Sequence, residues 1–77
     1  MNFSMIHHIS INVADVQQAT NFYVETLNFK QIARPDLGFD GAWLQIGEQQ
    51  LHLLEVENHQ APAGQHFAFE VDDIDAY

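Results

Sequence analysis

The stretch Ile6-His7-His8-Ile9-Ser10-Ile11-Asn12-Val13-Ala14-Asp15 decides the reading of this chain. Ile9, Ile11 and Val13 alternate with His8, Ser10 and Asn12, the period of a strand with one apolar and one polar face. Asp15 follows, with Gln18 three residues on, the spacing of a capping box that opens a helix. Val16, Ala19, Phe22, Tyr23 and Leu27 then recur at helical spacing and predict an apolar stripe. Asn28 suits the left-handed residue that commonly ends a helix.

Outward from this unit, Phe29 to Arg34 predicts a second strand, and Pro35-Asp36-Leu37-Gly38 breaks it. Ala42 to Ile46 reads as a third strand, Gly47-Glu48 as a turn, and Gln50 to Glu57 as a fourth strand. Asn58 to Gly64 is a loop. Gln65 to Val71 predicts a fifth strand, and Asp72-Asp73 the cap of a second helix. The expected fold class is α+β: a β-α-β-β-β module over residues 5–57, then the opening of a second module over residues 65–77.

The two openings superpose. His8-Ile9-Ser10-Ile11-Asn12-Val13-Ala14-Asp15-Val16 matches His66-Phe67-Ala68-Phe69-Glu70-Val71-Asp72-Asp73-Ile74 in its His, its Val, its capping Asp and its apolar alternation. Self-similarity of this kind is the mark of a structural repeat. The second copy reaches Tyr77 inside its first helical turn, and a helix that short is not stable alone. The expectation is a fragment of a protein about twice this length, or a half completed by another chain.

Composition narrows the function. The chain has 77 residues, no cysteine and a net charge of −9, with Lys30 and Arg34 its only basic side chains. Nucleic-acid binding needs cations to neutralise phosphates, so it is excluded, and an anionic membrane surface is disfavoured on the same ground. There is no apolar run of about 18 residues and no signal-like start, so a cytoplasmic protein without a membrane span is expected. Below roughly 70–80 residues a domain usually needs disulfides, a metal or a partner chain. Without cysteine, a His and carboxylate metal site, an oligomer, or both remain.

His8 and His66 are the equivalent positions of the two copies, each on the polar face of its strand. A pseudo-twofold would aim both imidazoles into one cleft, and neutral imidazole is a common ligand of zinc, nickel, manganese and iron. A lone strand histidine is more often a half-exposed residue bonded to water; the symmetric placement favours ligation for this pair. His52, on a face with Leu54 and Val56, is either a buried hydrogen-bonded residue or a third ligand. His7 reads as packing or surface, and His59 as solvent-exposed. Glu55 and Glu57 read as an acidic solvated face, and Trp43 as core. Glu70 shares a face with His66 and is placed to orient it.

Ile6 to Asp15, then Phe22-Tyr23, then Leu27-Asn28-Phe29, resembles the opening of vicinal-oxygen-chelate domains, the superfamily of glyoxalases, bleomycin-resistance proteins and extradiol dioxygenases. Asn28 stands where that pattern usually has Gly. Residues 65–73 resemble the opening of the second module, so the resemblance spans nearly all of residues 1–77. It implies a divalent metal held by the first strand of each module, hence by His8 and His66. In the fourth strand glyoxalase I enzymes place a Glu where this chain has His52, a departure that sets that activity in question. The resemblance further implies a lyase, isomerase, thiol transferase or dioxygenase acting on a small molecule through metal-assisted oxyanion stabilisation, in a homodimer of paired modules. The alternative within the same fold is a metal-free, antibiotic-sequestering binder with an apolar cleft. A small regulatory module of ferredoxin-like outline is a third, and it would make the His8 and His66 correspondence accidental.

Overall fold

The computed structural model describes residues 1–76 of the chain. Strand β1 (His8–Val13) leads into helix α1 (Val16–Asn21). The Asp15 side chain accepts from the Gln18 amide at 3.0 Å, the expected cap. It takes up one of the amides that a helix start leaves without a partner. Glu55 takes up another, its Oε1 accepting from Val16 N at 3.1 Å. Two carboxylates thus meet the positive end of the helix, one local and one from 39 residues away.

The helix widens into a π-helical turn, Phe22–Thr26, closed by Leu27 N donating to Phe22 O across five residues. A π turn inserts one residue and rotates the face that follows. Tyr23 and Val24 pack on the core and Leu27 is half-buried, whereas Phe22, expected in the apolar stripe, is 51 % exposed. Asn28 then takes φ +61°, the left-handed stop expected there.

Strands β2 (Lys30–Ile32), β3 (Gly41–Ile46) and β4 (Gln49–Glu55) complete the module. The sheet order is β1-β4-β3-β2, with β1 parallel to β4 and the other pairs antiparallel. A two-residue turn, Gly47-Glu48, joins β3 to β4, and Gly47 supplies positive φ at its first central position. This is the expected βαβββ module. One sheet face packs under α1: Ala42, Leu44, Leu51 and Leu53 are buried, and Ile9, Ile11, Val13, Val16 and Ala19 close over them. Each fully buried leucine contributes about 1.5–3 kcal/mol.

The strand expected over Gln65–Val71 does not form: these residues join no sheet ladder among the described residues. Side chains hold the segment instead. The Phe69 ring meets Phe29 edge-on at 5.2 Å and Phe67 at 5.3 Å. A strand requires a neighbour for its amides and carbonyls, and aromatic packing has drawn this segment toward the end of the helix. Of the expected second helix, Ile74–Ala76 forms a 3₁₀ turn whose Asp75 amide donates to Asp73 Oδ1 at 3.1 Å. Tyr77 lies outside the described residues.

Candidate functional site on the open sheet face

Side chains alternate across a sheet, so the strand register assigns the face opposite α1. The pairings His8↔Gln50, Ser10↔His52 and Trp43↔His52 put His8, Ser10, Gln50, His52 and Trp43 on that face. Three adjacent strands each contribute a flat ring. His8 stacks on His52 with centroids 4.2 Å apart and planes 14° from parallel; Trp43 stacks on the other side of His52 at 4.3 Å and 8°. Stacked rings of this kind add to the stability of the pair beyond the area they bury.

His52 is the centre of the row and is only 8 % exposed. Its Nε2 lies 2.8 Å from Gln50 Oε1. An amide oxygen only accepts, so Nε2 carries the proton and the Nδ1 lone pair is left over. Burial lowers the His52 pKa below the usual histidine value, and the positive ends of His8, His7 and Arg34 lower it further. At neutral pH His52 is therefore a neutral imidazole. His8 is also bonded, its Nδ1 lying 2.9 Å from His7 Nδ1, so one of these rings donates and the other accepts. Residue 7 precedes the first strand residue, which frees it to turn toward His8 rather than the helix.

The three histidines expected as metal ligands separate into two groups. His8 and His52 are in contact. His66 lies in a cavity of about 520 Å³ beside β1, lined also by Ser10, Asn12 and His59, with its Nδ1 3.0 Å from Gly64 O. A nitrogen lone pair lies in the plane of its ring, so two imidazoles share an ion only where both planes reach it, about 2.0–2.1 Å from each nitrogen. Planes as nearly parallel as those of His8 and His52 do not meet so close. Among the described residues no three His, Asp or Glu side chains group to hold a metal. The arrangement of this single chain therefore does not fit a closed metal site.

Other side chains depart from expectation in ways the topology explains. Glu55, read as part of a solvated acidic face, holds the start of α1; Glu57, past the end of β4, is exposed. His59 is half-buried rather than in solvent. Glu70 is exposed, and the Nδ1 of His66 turns to Gly64 O. Trp43 and Gln50 are the residues that sequence reasoning missed. Counting outward from the Gly47-Glu48 turn pairs Ile46 with Gln49 and so Trp43 with His52, and period two puts Gln50 beside His52. The signal was present as a register.

The comparisons agree with this architecture. The Glyoxalase/Bleomycin resistance protein/Dioxygenase superfamily pattern matches residues 5–77. A curated Arabidopsis thaliana protein named Glyoxylase I 4 is 36 % identical over 55 residues, 70 % of this chain and 32 % of its own length. This chain thus spans about a third of that relative. A solved structure from Bacillus anthracis, provisionally placed in the glyoxalase family, has a TM-score of 0.85 at 26 % identity, covering 99 % of this chain and 66 % of its own. Lactoylglutathione lyase from Agrobacterium tumefaciens shares the fold, with a TM-score of 0.70 at 22 % identity over 94 % of this chain and 61 % of its own. A fosfomycin resistance protein from Listeria monocytogenes does so at 0.72 and 18 %, over 99 % and 61 %. With the pattern running through the whole βαβββ module and the segment after it, the chain belongs to the Glyoxalase/Bleomycin resistance protein/Dioxygenase superfamily.

Proposed function

We propose that this chain forms one wall of a small-molecule cleft, built on the open sheet face around His8, His52 and Trp43. The observation that carries it is the stacked row of three rings, with a buried, neutral His52 at its centre. Ligand sites are typically apolar or aromatic surfaces with a few placed polar groups, and this face has that make-up. His52 offers Nδ1 as a hydrogen-bond acceptor, Gln50 fixes its tautomer, and Trp43 supplies a flat apolar wall. A second half covers this face in the working protein, either further sequence or a second copy in a cytoplasmic homodimer.

Two readings of the chemistry follow. In the first, the protein is a divalent-metal-dependent enzyme in which His8, His66 and His52 come to one ion only once that second half has drawn the His66 segment toward the open face and turned His8 and His52 out of their stack. The like placement of His8 and His66 in the two repeat copies supports it. In the second, it is a metal-free binder, and the stacked, nearly parallel rings of His8 and His52, whose planes do not converge on one ion, support that. Metal analysis of protein purified without chelator decides between them. The first expects one bound divalent ion per site, lost in His8→Ala and in His66→Ala. Full metal content in both variants refutes those ligands. A metal-free protein that still quenches or shifts Trp43 emission on adding small aromatic ligands supports the second. Trp43 emission that answers neither metal nor ligand refutes the cleft itself.

A further inference from the structure

We propose that the outer edge of β1 is a docking slot for a short, extended, uncharged peptide, which joins the sheet as an added strand. β1 stands at one end of the sheet, and no described strand pairs with its outer side. Its inner side is occupied by β4. His7 O accepts from Gln50 N at 3.0 Å, and Val13 O accepts from Val56 N at 2.8 Å. In a parallel ladder every second residue turns its N–H and C=O to the neighbouring strand, so residues 7, 9, 11 and 13 face β4. His8, Ser10 and Asn12 therefore turn theirs outward.

The two ends of the sheet differ. β2, at the other end, has three residues and carries Lys30, the short and charged form in which an edge resists further pairing. β1 has six residues, with no lysine, carboxylate or proline among them. Beside it lies the cavity of about 520 Å³, with Ile9 to Asn12 on one wall and His59, His66 and Phe67 on the other. That volume is within the range of about 300–1,000 Å³ usual for small-ligand sites. Ser10 and Asn12 are exposed, so their outward groups are open to a ligand. The segment opposite makes no ladder with them. The cavity includes neither His8, His52 nor Trp43, so it lies beside the ring row and not on it.

Spacing and charge select the class of ligand. The outward groups of Ser10 and Asn12 recur after two residues, about 6.6 Å along the strand, the repeat at which an extended peptide presents its own N–H and C=O groups. The four strand residues of the wall span about 13 Å, the length of three or four peptide residues. Apart from the two imidazoles, no residue lining the cavity is acidic or basic, in a chain with 11 acidic side chains. A charged peptide side chain would lose water there without gaining a partner. Side chains of an added strand alternate between faces, one set beside Ile9 and Ile11 and the other beside Ser10 and Asn12. An alternation of apolar and hydroxyl-bearing residues fits both.

The test is a titration of the ¹⁵N-labelled 77-residue chain with the capped peptide acetyl-Thr-Val-Thr-Val-amide. The Ser10 and Asn12 amide signals are expected to shift and to exchange about tenfold more slowly, while those of Ile9 and Ile11, already in the ladder, stay as they were. N-methylation of the two Thr amides or of the two Val amides strips the N–H groups from one edge of the peptide. One of these peptides is expected to bind about tenfold more weakly than the parent, and the other within about threefold of it. Ser10→Pro removes an outward N–H at an edge, where proline is tolerated, and is expected to abolish binding. No response at Ser10 and Asn12, or the same affinity for both methylated peptides, overturns the proposal. Ser10 and Asn12 amides that exchange slowly without peptide also overturn it, because a second copy then holds the edge. The methylated peptides decide the matter if Ser10→Pro loses its fold.

Discussion

Replacing His52 by Leu tests the centre of the open face most directly. The substitution keeps roughly the volume of a side chain that is 8 % exposed, so little cavity is left behind. It removes two stacked ring contacts, at 4.2 and 4.3 Å, worth about 0.5–1.5 kcal/mol each. It also leaves Gln50 without its 2.8 Å partner, about 1 kcal/mol for a half-buried amide that water can partly reach. The exchange of imidazole for an apolar side chain in a buried position offsets part of this. The net loss expected is about 1–3 kcal/mol, read as a lower urea midpoint followed by the emission of Trp43, the only tryptophan. The pH dependence is the sharper signature. The His52 pKa is lowered in the folded state, so between that value and the ordinary one the unfolded chain binds more protons. Stability from this residue is full above the unfolded pKa of about 6.5 and is lost as pH falls through it toward the folded value. His52→Leu is expected to flatten that fall. If wild type and variant lose stability in parallel as the pH drops below neutral, the burial and charge environment deduced for His52 is wrong.

Three further substitutions probe the scaffold. Leu53→Ala empties a fully buried position on a central strand and is expected to cost about 2–5 kcal/mol, measured by denaturant unfolding; a loss below about 1 kcal/mol would mean the sheet face under α1 is not packed. Asp15→Ala removes the 3.0 Å cap on Gln18 N and is expected to cost about 0.5–2 kcal/mol, while hydrogen exchange at the first turn of α1 quickens. Gly41→Ala places a Cβ 2.5 Å from the Leu53 carbonyl oxygen, across the β3–β4 ladder where backbone cannot yield cheaply. A thermal midpoint lowered by several degrees is expected, about what 1 kcal/mol or more produces in a domain of this size; an unchanged midpoint would refute that close approach.

Short-range chemistry was legible in the chain. Alternation at residues 8–13, the Asp15 cap, the left-handed Asn28 and the Gly47-Glu48 turn all depend on neighbours a few residues apart, and each stands where it was expected. The resemblance that these features carry led to the same superfamily that the comparisons support. The stripe along the helix was legible at Val16, Ala19, Tyr23 and Leu27 and failed at Phe22, which is exposed.

Placement across the chain was not legible. His8 and His66 are alike in their local sequence, yet one stacks on His52 and the other lies in a separate cavity with His59. Local pattern assigns a face to a side chain; it does not say what the rest of the chain brings to that face. That is decided by pairing partners distant in sequence. The parallel β1–β4 ladder sets His8 opposite Gln50 and so diagonally beside His52, on which it stacks, and the hairpin register lays Trp43 on the other side of His52. The strand expected at residues 65–71 failed for the same reason, since a strand exists only with a neighbour to share its hydrogen bonds. The sequence by itself determined the elements of the βαβββ module, the Asp15 cap and the family, because periodicity and turn chemistry are local. Only the tertiary structure decided which imidazoles meet and which carboxylate holds the helix, because those follow from distances that close across about 40 residues of chain.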